Sequence, residues 1–383
     1  MTIDDATRPP WASPAARGSR NELTRRHNLS TVLLAVHYGT AVSRAELTRK
    51  TGLNRSTIGS MVAALAEAGL VTSEVAEDAS GVGRPSPIVR PTTEVVALSI
   101  HPDIDAVRVA LVGLGGRVLA SERREVAGGL DMAEAVDIIA ELTETVRRSA
   151  PKHTRIVGAG VAVPGLVDDE RGIVVDAPHL GWRGEPLARR VAARLGIEVH
   201  VGNDATVGLL AEARFGAGRG RSDVLYLNGS ASGIGGSALV GGTLLTGARG
   251  FGGEFGHILV TSDGLPCDCG RSGCLETEVN MQRLDAARAA GALDAELDRQ
   301  ADVLSHAIAN LVVAFNPEAV ILGGFLANVL DNRGAAIRNG VARLAFGPLA
   351  EGVVIARNAL GDDLLLVGAA ELGLARLLRN PLG

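Results

Sequence analysis

All the cysteines of this 383-residue chain lie within one short segment that is rich in glycine. Cys267, Cys269 and Cys274 are close together in sequence, and His257 stands a few residues before them. Three thiolates and one imidazole form a complete tetrahedral ligand set for zinc, and four protein ligands leave no coordination position for water. The spacing therefore predicts one structural zinc ion, which constrains the fold of the whole segment.

Two other arrangements would use the same residues. The cysteines could pack as small apolar side chains, or two of them could form a disulfide and leave the third thiol free. Nothing in the sequence marks a secreted protein, and the N-terminus lacks the apolar centre of a signal peptide. We therefore favour the zinc site, and we expect a cytoplasmic protein.

The N-terminal region has the periodicity of short helices. Apolar residues repeat at helical spacing from Leu29 to Val36, and Ser43 with Glu46 forms a capping box that opens a second helix ending near Gly52. Residues 1–90 carry 11 Lys and Arg against 8 Asp and Glu, whereas the remainder of the chain carries 27 against 35. A basic end on an acidic body is a modest sign of contact with nucleic acid.

A third helix follows after a short turn, and this spacing is typical of a helix-turn-helix. Its exposed side is polar, as an element that enters a major groove requires. A Gly- and Pro-rich turn further along reads as a wing. The candidate DNA contacts are Arg44, Asn54, Arg55, Ser56, Thr57, Ser60 and, in the wing, Arg84. The alternative is a three-helix interaction module that does not touch DNA.

Residues 1–20 are rich in Pro, Ala, Arg and Ser without periodicity, so we predict a disordered arm, with an arm ordered on DNA as the alternative. After Pro91, apolar strands alternate with helices, which predicts an α/β body. No apolar run reaches the length of a membrane span. Asn203 and Asp204 stand between a strand and a helix, which is a usual place for ligand contacts in such folds.

The pattern Glu254-x-Gly-His257, followed by Cys267-x-Cys269-Gly-x-x-Gly-Cys274-x-Glu276, resembles the zinc-binding signature of the ROK family (repressors, open reading frames and kinases). Residues 45–58, 65–71 and 83–87 are similar to the winged-helix domain of ROK repressors. The resemblance implies a mainly α winged helix-turn-helix domain at residues 21–91, followed by an actin-like, hexokinase-type α/β domain of two lobes. Lobe I would contain residues 92–202 and 364–383, and lobe II residues 203–363 with the zinc loop.

The resemblance also implies a sugar site. The positions that bind sugar in the family match Gly165, Asn203, Asp204, Glu254, His257 and Glu276. In ROK kinases the aspartate is the general base, and the histidine contacts sugar as well as zinc, so the metal is expected to hold the loop that carries the two glutamates. An Asn-Asp pair before a helix is also a common N-cap. The sequence does not name the sugar, so xylose, glucose, N-acetylglucosamine and phosphorylated sugars all stay open. His179, which replaces the family's usual Asn, leaves the ligand class more open still.

The first phosphate loop of the family is altered in this chain. The family has an Asp, a pair of glycines and a Thr where this chain has residues 99–105, in which His101 replaces the Asp and Asp103 and Ile104 replace the glycines. A negative side chain there repels phosphate, and Ile blocks close approach of a ligand to the backbone. The second loop, residues 230–236, is only partly altered, and Gly323-Gly324 is retained. We therefore predict that the chain is not an enzyme.

Together these features predict a DNA-binding transcriptional regulator, a repressor of carbohydrate-metabolism genes whose operator affinity is set by sugar in the cleft. The expected partners are double-stranded DNA with a pseudo-palindromic operator, a small sugar, and further copies of the chain in a homodimer or homotetramer. The first alternative is an ATP-dependent sugar kinase with an appended DNA-binding domain. The second is a zinc-stabilised assembly module that binds another protein and no ligand.

Overall fold

Three helices and a small antiparallel sheet form the N-terminal region. The computed structural model describes residues 20–74, 86–126 and 128–383. The first elements are α1 (Arg20–Gly39), β1 (Val42–Ser43), α2 (Arg44–Thr51), α3 (Arg55–Glu67), β2 (Val71–Glu74) and β3 (Ile88–Pro91). The sheet order β1-β3-β2 makes β2 and β3 the pair that flanks the predicted wing, as in a winged helix-turn-helix. The wing tip with Arg84, and all of the predicted arm except Arg20, lie outside the described residues.

Side-chain caps fix the ends of α2 and α3. Ser43 Oγ accepts the Glu46 N–H at 3.1 Å, and Asn54 Oδ1 accepts the Thr57 N–H at 2.8 Å. Gly52 ends α2 with a φ of 70°, a left-handed conformation that glycine adopts without steric strain. The predicted start and end of α2 are confirmed, and the short turn to α3 gives the two helices their helix-turn-helix relation.

The first half of the α/β body is a five-stranded mixed sheet. Its order is β11-β7-β4-β5-β6, in which β4 runs parallel to β7 and antiparallel to β5. Three short strands, β8 to β10, form a separate antiparallel sheet that the sequence did not reveal. The elements are β4 (Val95–Pro102), β5 (Ala106–Gly113), β6 (Arg117–Glu125), α4 (Met132–Ser149), β7 (Arg155–Val163), β8 (Leu166–Asp168), β9 (Ile173–Ala177), β10 (Trp182–Glu185), α5 (Leu187–Leu195) and β11 (Val199–Asn203).

The second half repeats this plan with another five-stranded mixed sheet, of order β14-β13-β12-β15-β16. Its elements are α6 (Asp204–Phe215), β12 (Val224–Ser230), β13 (Gly233–Val240), β14 (Thr243–Leu244), α7 (Leu275–Glu278), α8 (Met281–Ala289), α9 (Leu293–Phe315), β15 (Ala319–Gly324), α10 (Phe325–Leu344), α11 (Gly347–Ala350), β16 (Val354–Arg357) and α12 (Leu364–Arg379). Two similar halves confirm the predicted two-lobed α/β class. Among the described helices, none combines the length and apolar character that crossing a bilayer requires.

Helices α6 and α12 pack against each other, and α12 also lies across β4 and β7 of the first sheet. Glycines permit the close approach: a Cβ at Gly160 would overlap the Ala369 carbonyl, and a Cβ at Gly368 would lie 2.5 Å from the Val207 carbonyl oxygen. The last helix therefore returns to the first lobe, as the resemblance implied.

The N-terminal helices share a buried core with the α/β body. Leu33 of α1 and Leu65 of α3 belong to the same apolar cluster as Leu366 and Leu374 of α12, and all four side chains are fully buried. Burial of apolar area contributes roughly 25 cal/mol per Å². The N-terminal region is therefore docked on α12 by a continuous apolar contact as well as joined to the body by the chain.

Candidate functional site

Asp204 lies in the first turn of α6, directly after β11. Its buried carboxylate accepts the Ala205 N–H at Oδ1 (2.8 Å) and the Asn228 amide at Oδ2 (3.1 Å). Burial, reinforced by the charge of Asp103, raises the pKa of Asp204 to about 6 against the opposing effect of His101. A buried carboxylate with a pKa near neutrality is well suited to hydrogen bonding with a sugar hydroxyl.

Asn203 ties the start of α6 to the turn at Gly165. Its Oδ1 accepts the Thr206 N–H at 3.0 Å, and its Nδ2 donates to the Gly165 carbonyl at 3.0 Å. Gly165 has a φ of 98°, and a Cβ there would lie 2.5 Å from the Asp176 carbonyl oxygen, so only glycine fits. Asn203 is therefore an N-cap in this structure, and its contact with sugar stays a prediction.

Strand β13 has glycine at two positions that lie close to acidic side chains of the site. A Cβ at Gly235 would lie 3.5 Å from Asp204 Oδ1, and a Cβ at Gly233 would lie 2.5 Å from Glu276 Oε2. The second glycine-rich loop therefore gives room to the acids of the site. This packing role, which sequence reasoning did not identify, accounts for glycine at positions 233 and 235.

Asn228 on β12 is the site residue that the sequence analysis missed. Its Oδ1 accepts the Tyr226 hydroxyl at 2.9 Å, which directs its amide group toward Asp204. All the residues of β12 that precede Asn228 are apolar or aromatic and buried. A polar Asn after such a run needs a buried hydrogen-bond partner, and this was the sequence signal that could have identified it.

The four predicted metal ligands converge on one point. The ligand atoms of His257, Cys267, Cys269 and Cys274 all lie within 4.8 Å of one another. The Cys269 and Cys274 sulfurs are 3.6 Å apart, and Cys267 Sγ is 3.6 Å from His257 Nδ1. Zinc–sulfur bonds of about 2.3 Å place tetrahedral ligands roughly 3.7 Å apart, so this set fits the geometry of zinc. The predicted His/Cys cluster is thus present and could hold a metal ion.

Electrostatics at this cluster differ from one cysteine to another. Desolvation opposes ionisation of the exposed Cys269 thiol, but hydrogen bonds from the side chain and backbone of Arg271 lower its pKa to about 6. The Cys267 thiol donates a hydrogen bond to Glu276 Oε1 at 3.0 Å. Burial and this hydrogen bond raise the pKa of Cys267. One thiol of the set is therefore readily ionised, as a metal ligand must be.

Glu276 and Glu254 connect the cysteine cluster to the buried aspartate. Glu276 Oε1 lies 3.2 Å from His257 Nδ1, and its Oε2 accepts the Ile234 N–H at 3.5 Å. Burial and the charges of Asp204 and Glu276 raise the pKa of Glu254 to about 7. The structure thus brings together the predicted acids from α6, the turn before His257, and α7, with the predicted Cys/His cluster at their edge.

The altered first loop faces these acids from the first sheet. His101 Nδ1 donates a hydrogen bond to the Ala162 carbonyl oxygen at 2.9 Å, because a carbonyl can only accept. The other ring nitrogen, Nε2, lies 4.0 Å from Asp103 Oδ2. The Asp103 N–H donates to the Ala106 carbonyl, and the Ile104 N–H donates to the Asp103 carboxylate. Both backbone N–H groups donate hydrogen bonds within the turn. They are therefore not directed at a ligand, as the N–H groups of a phosphate cradle would be.

Gly323 and Gly324, at the end of β15, have a packing role. A Cβ at Gly323 would overlap the Tyr226 hydroxyl, and one at Gly324 would overlap the Gly229 carbonyl. Gly324 also turns the chain into α10 with a φ of 59°. Their retention is therefore explained by close contact with β12 and does not by itself indicate a nucleotide.

The exposed side of α3 carries most of the candidate DNA contacts. Arg55, Ser56 and Ser60 are exposed, and Thr57 is partly buried. Asn54 caps the helix and also accepts the Ser56 hydroxyl at 2.7 Å. Arg44 is partly buried and donates to Ser73 Oγ at 3.0 Å, which connects α2 with β2. Asn54 and Arg44 thus have structural partners, and contact of these residues with DNA stays a prediction.

Comparison with characterised proteins finds two kinds of relative. The xylose repressor of Caldicellulosiruptor bescii is 27% identical over 335 residues, which cover 79% of this chain and 84% of that protein. The glucokinase of Thermotoga maritima is 31% identical over 313 residues, which cover 69% of this chain and 92% of that protein. The repressor match therefore extends over more of this chain than the kinase match.

Solved structures show the same division. A ROK family transcriptional regulator, described as a homolog of the E. coli MLC protein, superimposes with a TM-score of 0.74 at 23% identity and covers 94% of this chain and 98% of that chain. A ROK family glucokinase from Streptomyces griseus, in complex with glucose and AMPPNP, gives 0.64 at 28% identity, over 72% of this chain and 98% of that chain. The ROK family model itself matches residues 99–376, and the chain belongs to the ROK family.

Proposed function

We propose that this protein is a cytoplasmic, sugar-responsive transcriptional repressor of carbohydrate-metabolism genes. One observation carries the proposal: a winged helix-turn-helix is packed on a body with a buried acidic ligand site. In the first loop of that body, His101 and Asp103 make hydrogen bonds within the protein in place of a phosphate cradle. The xylose repressor of Bacillus subtilis aligns over 90% of this chain, so the match extends into residues 1–91.

The ligand site suits an uncharged polyol. Asp204 and Glu254 present buried carboxyl groups whose raised pKa values let each accept or donate a hydrogen bond, and Asn203, His257, Glu276 and the Gly165 backbone complete the predicted sugar contacts. Sugar would draw lobe I (residues 92–202 with 364–383) toward lobe II (residues 203–363). Such closure shifts the population between two arrangements with different operator affinity.

The metal that we assign to the His/Cys cluster is one structural zinc ion per chain, held by His257, Cys267, Cys269 and Cys274. When bound, it would fix the turn that carries Glu254 and hold Glu276 beside His257. The four protein ligands leave no open position, so a zinc ion there would have a structural role.

The DNA contacts would come from the exposed side of α3, with Arg84 of the wing reaching a phosphate or the minor groove. Two copies in a homodimer or homotetramer would place two α3 helices on half-sites of a pseudo-palindromic operator.

Sugar phosphorylation is the second candidate, because the family resemblance places Asp204 at the position of the kinases' general base and the glucokinase of Thermotoga maritima is 31% identical. The closed first loop disfavours it, since phosphoryl transfer needs a cradle of backbone donors and a metal-binding acid. ADP release with a hexose panel separates the two candidates. Robust turnover that is lost in Asp204→Asn would overturn the repressor assignment.

Fluorescence anisotropy tests the proposal directly. The probe is labelled DNA from upstream of the gene, titrated with the full chain alone and with D-xylose, D-glucose, N-acetyl-D-glucosamine and their phosphates. We expect salt-sensitive, sequence-preferring binding whose Kd one sugar changes by about fivefold or more. Absence of sequence-preferring binding in every condition would contradict the proposal.

A further inference from the structure

A buried polar cluster lies where α1, α6 and α12 meet. Its members, which we call the interhelical cluster, are His37 and Tyr38 of α1, Arg214 of α6 and Glu371 of α12. Glu371 Oε1 accepts a hydrogen bond from His37 Nε2 at 2.7 Å. Its Oε2 accepts from the Arg214 guanidinium at 2.9 Å and from the Tyr38 hydroxyl at 3.1 Å. His37 is 0% and Glu371 3% exposed. One buried carboxylate thus holds two other helices.

Further contacts fix the orientation of the α1 side chains. The Gly115 N–H donates to His37 Nδ1 at 2.8 Å, so the ring accepts at Nδ1 and donates at Nε2. Phe215 packs edge-on against His37 and Tyr38, with ring centroids 5.3 and 5.4 Å apart. The Arg214 guanidinium lies 5.3 Å from the Tyr38 ring centroid. The last turn of α1 therefore contacts the C-terminal end of α6 through edge-on aromatic contacts and through a shared carboxylate.

Helix α6 connects this cluster with the ligand site. It begins with Asp204, and Arg214 and Phe215 are its last two residues. Ten residues at about 1.5 Å each separate Asp204 from Arg214, so roughly 15 Å of helix join the two sites. A displacement of α6 at the sugar end is necessarily felt by Arg214 and Phe215 at the other end.

Helix α1 in turn packs against α3, which carries the exposed Arg55. A buried ion pair is often replaceable by apolar residues without loss of stability, whereas a fully bonded one specifies a single arrangement of its elements. Moving α6 relative to α12 would break or lengthen the Arg214–Glu371 bond, and the other contacts of Glu371 are to α1. The cluster is thus placed to convert such a movement into a reorientation of the N-terminal helices.

From these contacts we propose that α6 and the interhelical cluster couple the ligand site to α3, with Arg214 and Glu371 as positioning residues for the DNA-binding helix. This inference rests on the proposed function, because it assumes that sugar at Asp204 changes operator affinity. It adds the residues and the helix through which the change would pass.

The test is a double variant in the full chain, Arg214→Met with Glu371→Gln, which removes both charges and leaves no buried charge unpaired. The readout compares two Kd values for the upstream DNA fragment, one without sugar and one with the panel sugar that changes wild-type binding most. The ratio is the larger of these two Kd values divided by the smaller. We expect a ratio below about twofold in the variant, while its Kd for that sugar, measured by calorimetry without DNA, stays within about threefold of wild type.

A matched control uses the same residue types in an exposed pair that joins α12 to the residue before β11. Arg376→Met with Glu198→Gln removes an exposed pair 3.2 Å apart, and it should keep the wild-type ratio. If Arg214→Met with Glu371→Gln weakens binding but keeps the ratio, the cluster has only a structural role and the inference is overturned. Should that variant fail to fold, Tyr38→Phe, which deletes one hydroxyl, must still lower the ratio by about twofold or more, and an unchanged ratio overturns the inference. A wild type that binds the fragment but ignores every sugar overturns the proposed function, and this inference with it.

Discussion

Asn228 donates a hydrogen bond to Asp204 at 3.1 Å and so joins the second sheet to the first turn of α6. The Tyr226 hydroxyl fixes the orientation of that amide. The aspartate is therefore held in a buried place by partners that satisfy its oxygens, although burial makes its ionised form unfavourable. This balance leads to the first prediction.

We expect Asp204→Asn to abolish the response to sugar while making the ligand-free protein more stable at pH 8. The substitution removes a buried acid whose pKa is raised to about 6 from 3.8. Between pH of about 4 and about 6 the folded state of the wild type binds more protons than its unfolded state. The free energy of unfolding of the wild type therefore falls as the pH rises through this range. The gain should be on the order of 1 to 3 kcal/mol in the free energy of unfolding, measured by urea denaturation.

The gain should vanish near pH 4, where Asp204 is protonated in the folded protein. Asp302→Asn, at an exposed position of α9, is the control and should change the free energy of unfolding by less than about 0.5 kcal/mol at both pH values. A destabilised Asp204→Asn protein at pH 8 would show that the charge is stabilising here.

For the metal, we predict one zinc ion per chain in freshly purified protein, measured by inductively coupled plasma mass spectrometry. Cys269→Ser should lose the ion and lower the melting temperature, because binding free energy at a structural site is part of the free energy of folding. A chelator should lower the wild-type melting temperature in the same direction.

Ser272→Ala is the control for this prediction, since it changes an exposed residue of the same loop and keeps every ligand. Wild-type protein without metal, or an unchanged zinc content in Cys269→Ser, would count against the assigned ligand set.

We expect Arg55→Ala and Arg84→Ala to weaken binding to the upstream fragment. A lost base contact costs about 1 to 3 kcal/mol, and a lost phosphate contact also makes the dependence of affinity on salt less steep. Anisotropy titrations at several salt concentrations separate these two effects. Arg288→Ala, an exposed change on α8 in the second half of the body, should leave DNA affinity unchanged. Unaltered affinity in both Arg55→Ala and Arg84→Ala would contradict the assigned DNA-binding face.

Acid should weaken the wild-type fold partly through Glu371. Burial alone would raise its pKa, but the hydrogen bond from His37, the charge of Arg214 and the hydrogen bond from Tyr38 hold it at about 2 against an ordinary 4.5. A carboxyl whose folded pKa is lowered stabilises the protein above its unfolded pKa, and this contribution disappears as the pH falls from about 4.5 to about 2.

Glu371→Gln should therefore show a smaller loss of unfolding free energy between pH 5 and pH 3 than wild type, in urea denaturation series at each pH. Glu198→Gln, at an exposed carboxyl that also pairs with α12, is the control. Parallel pH curves for wild type and Glu371→Gln would show that the contacts of Glu371 contribute nothing to acid sensitivity.

Local sequence was enough to determine the parts of this protein that depend on near neighbours. The ends of α2 follow from Ser43 and Gly52, and the convergence of His257 with the three cysteines follows from their spacing in one loop. These features need only a few residues of chain, so their chemistry is readable in the sequence.

Tertiary structure alone decided which distant residues share a buried contact. Asn228 reaches Asp204 because two sheets meet at α6, and Glu371 reaches His37 across 334 positions of sequence because α12 returns to the first lobe. Packing also gave Gly323 a role against Tyr226 that its place in a glycine pair did not suggest. A sequence pattern records which side chains lie on one face of an element, whereas the opposing face is set by how whole elements pack.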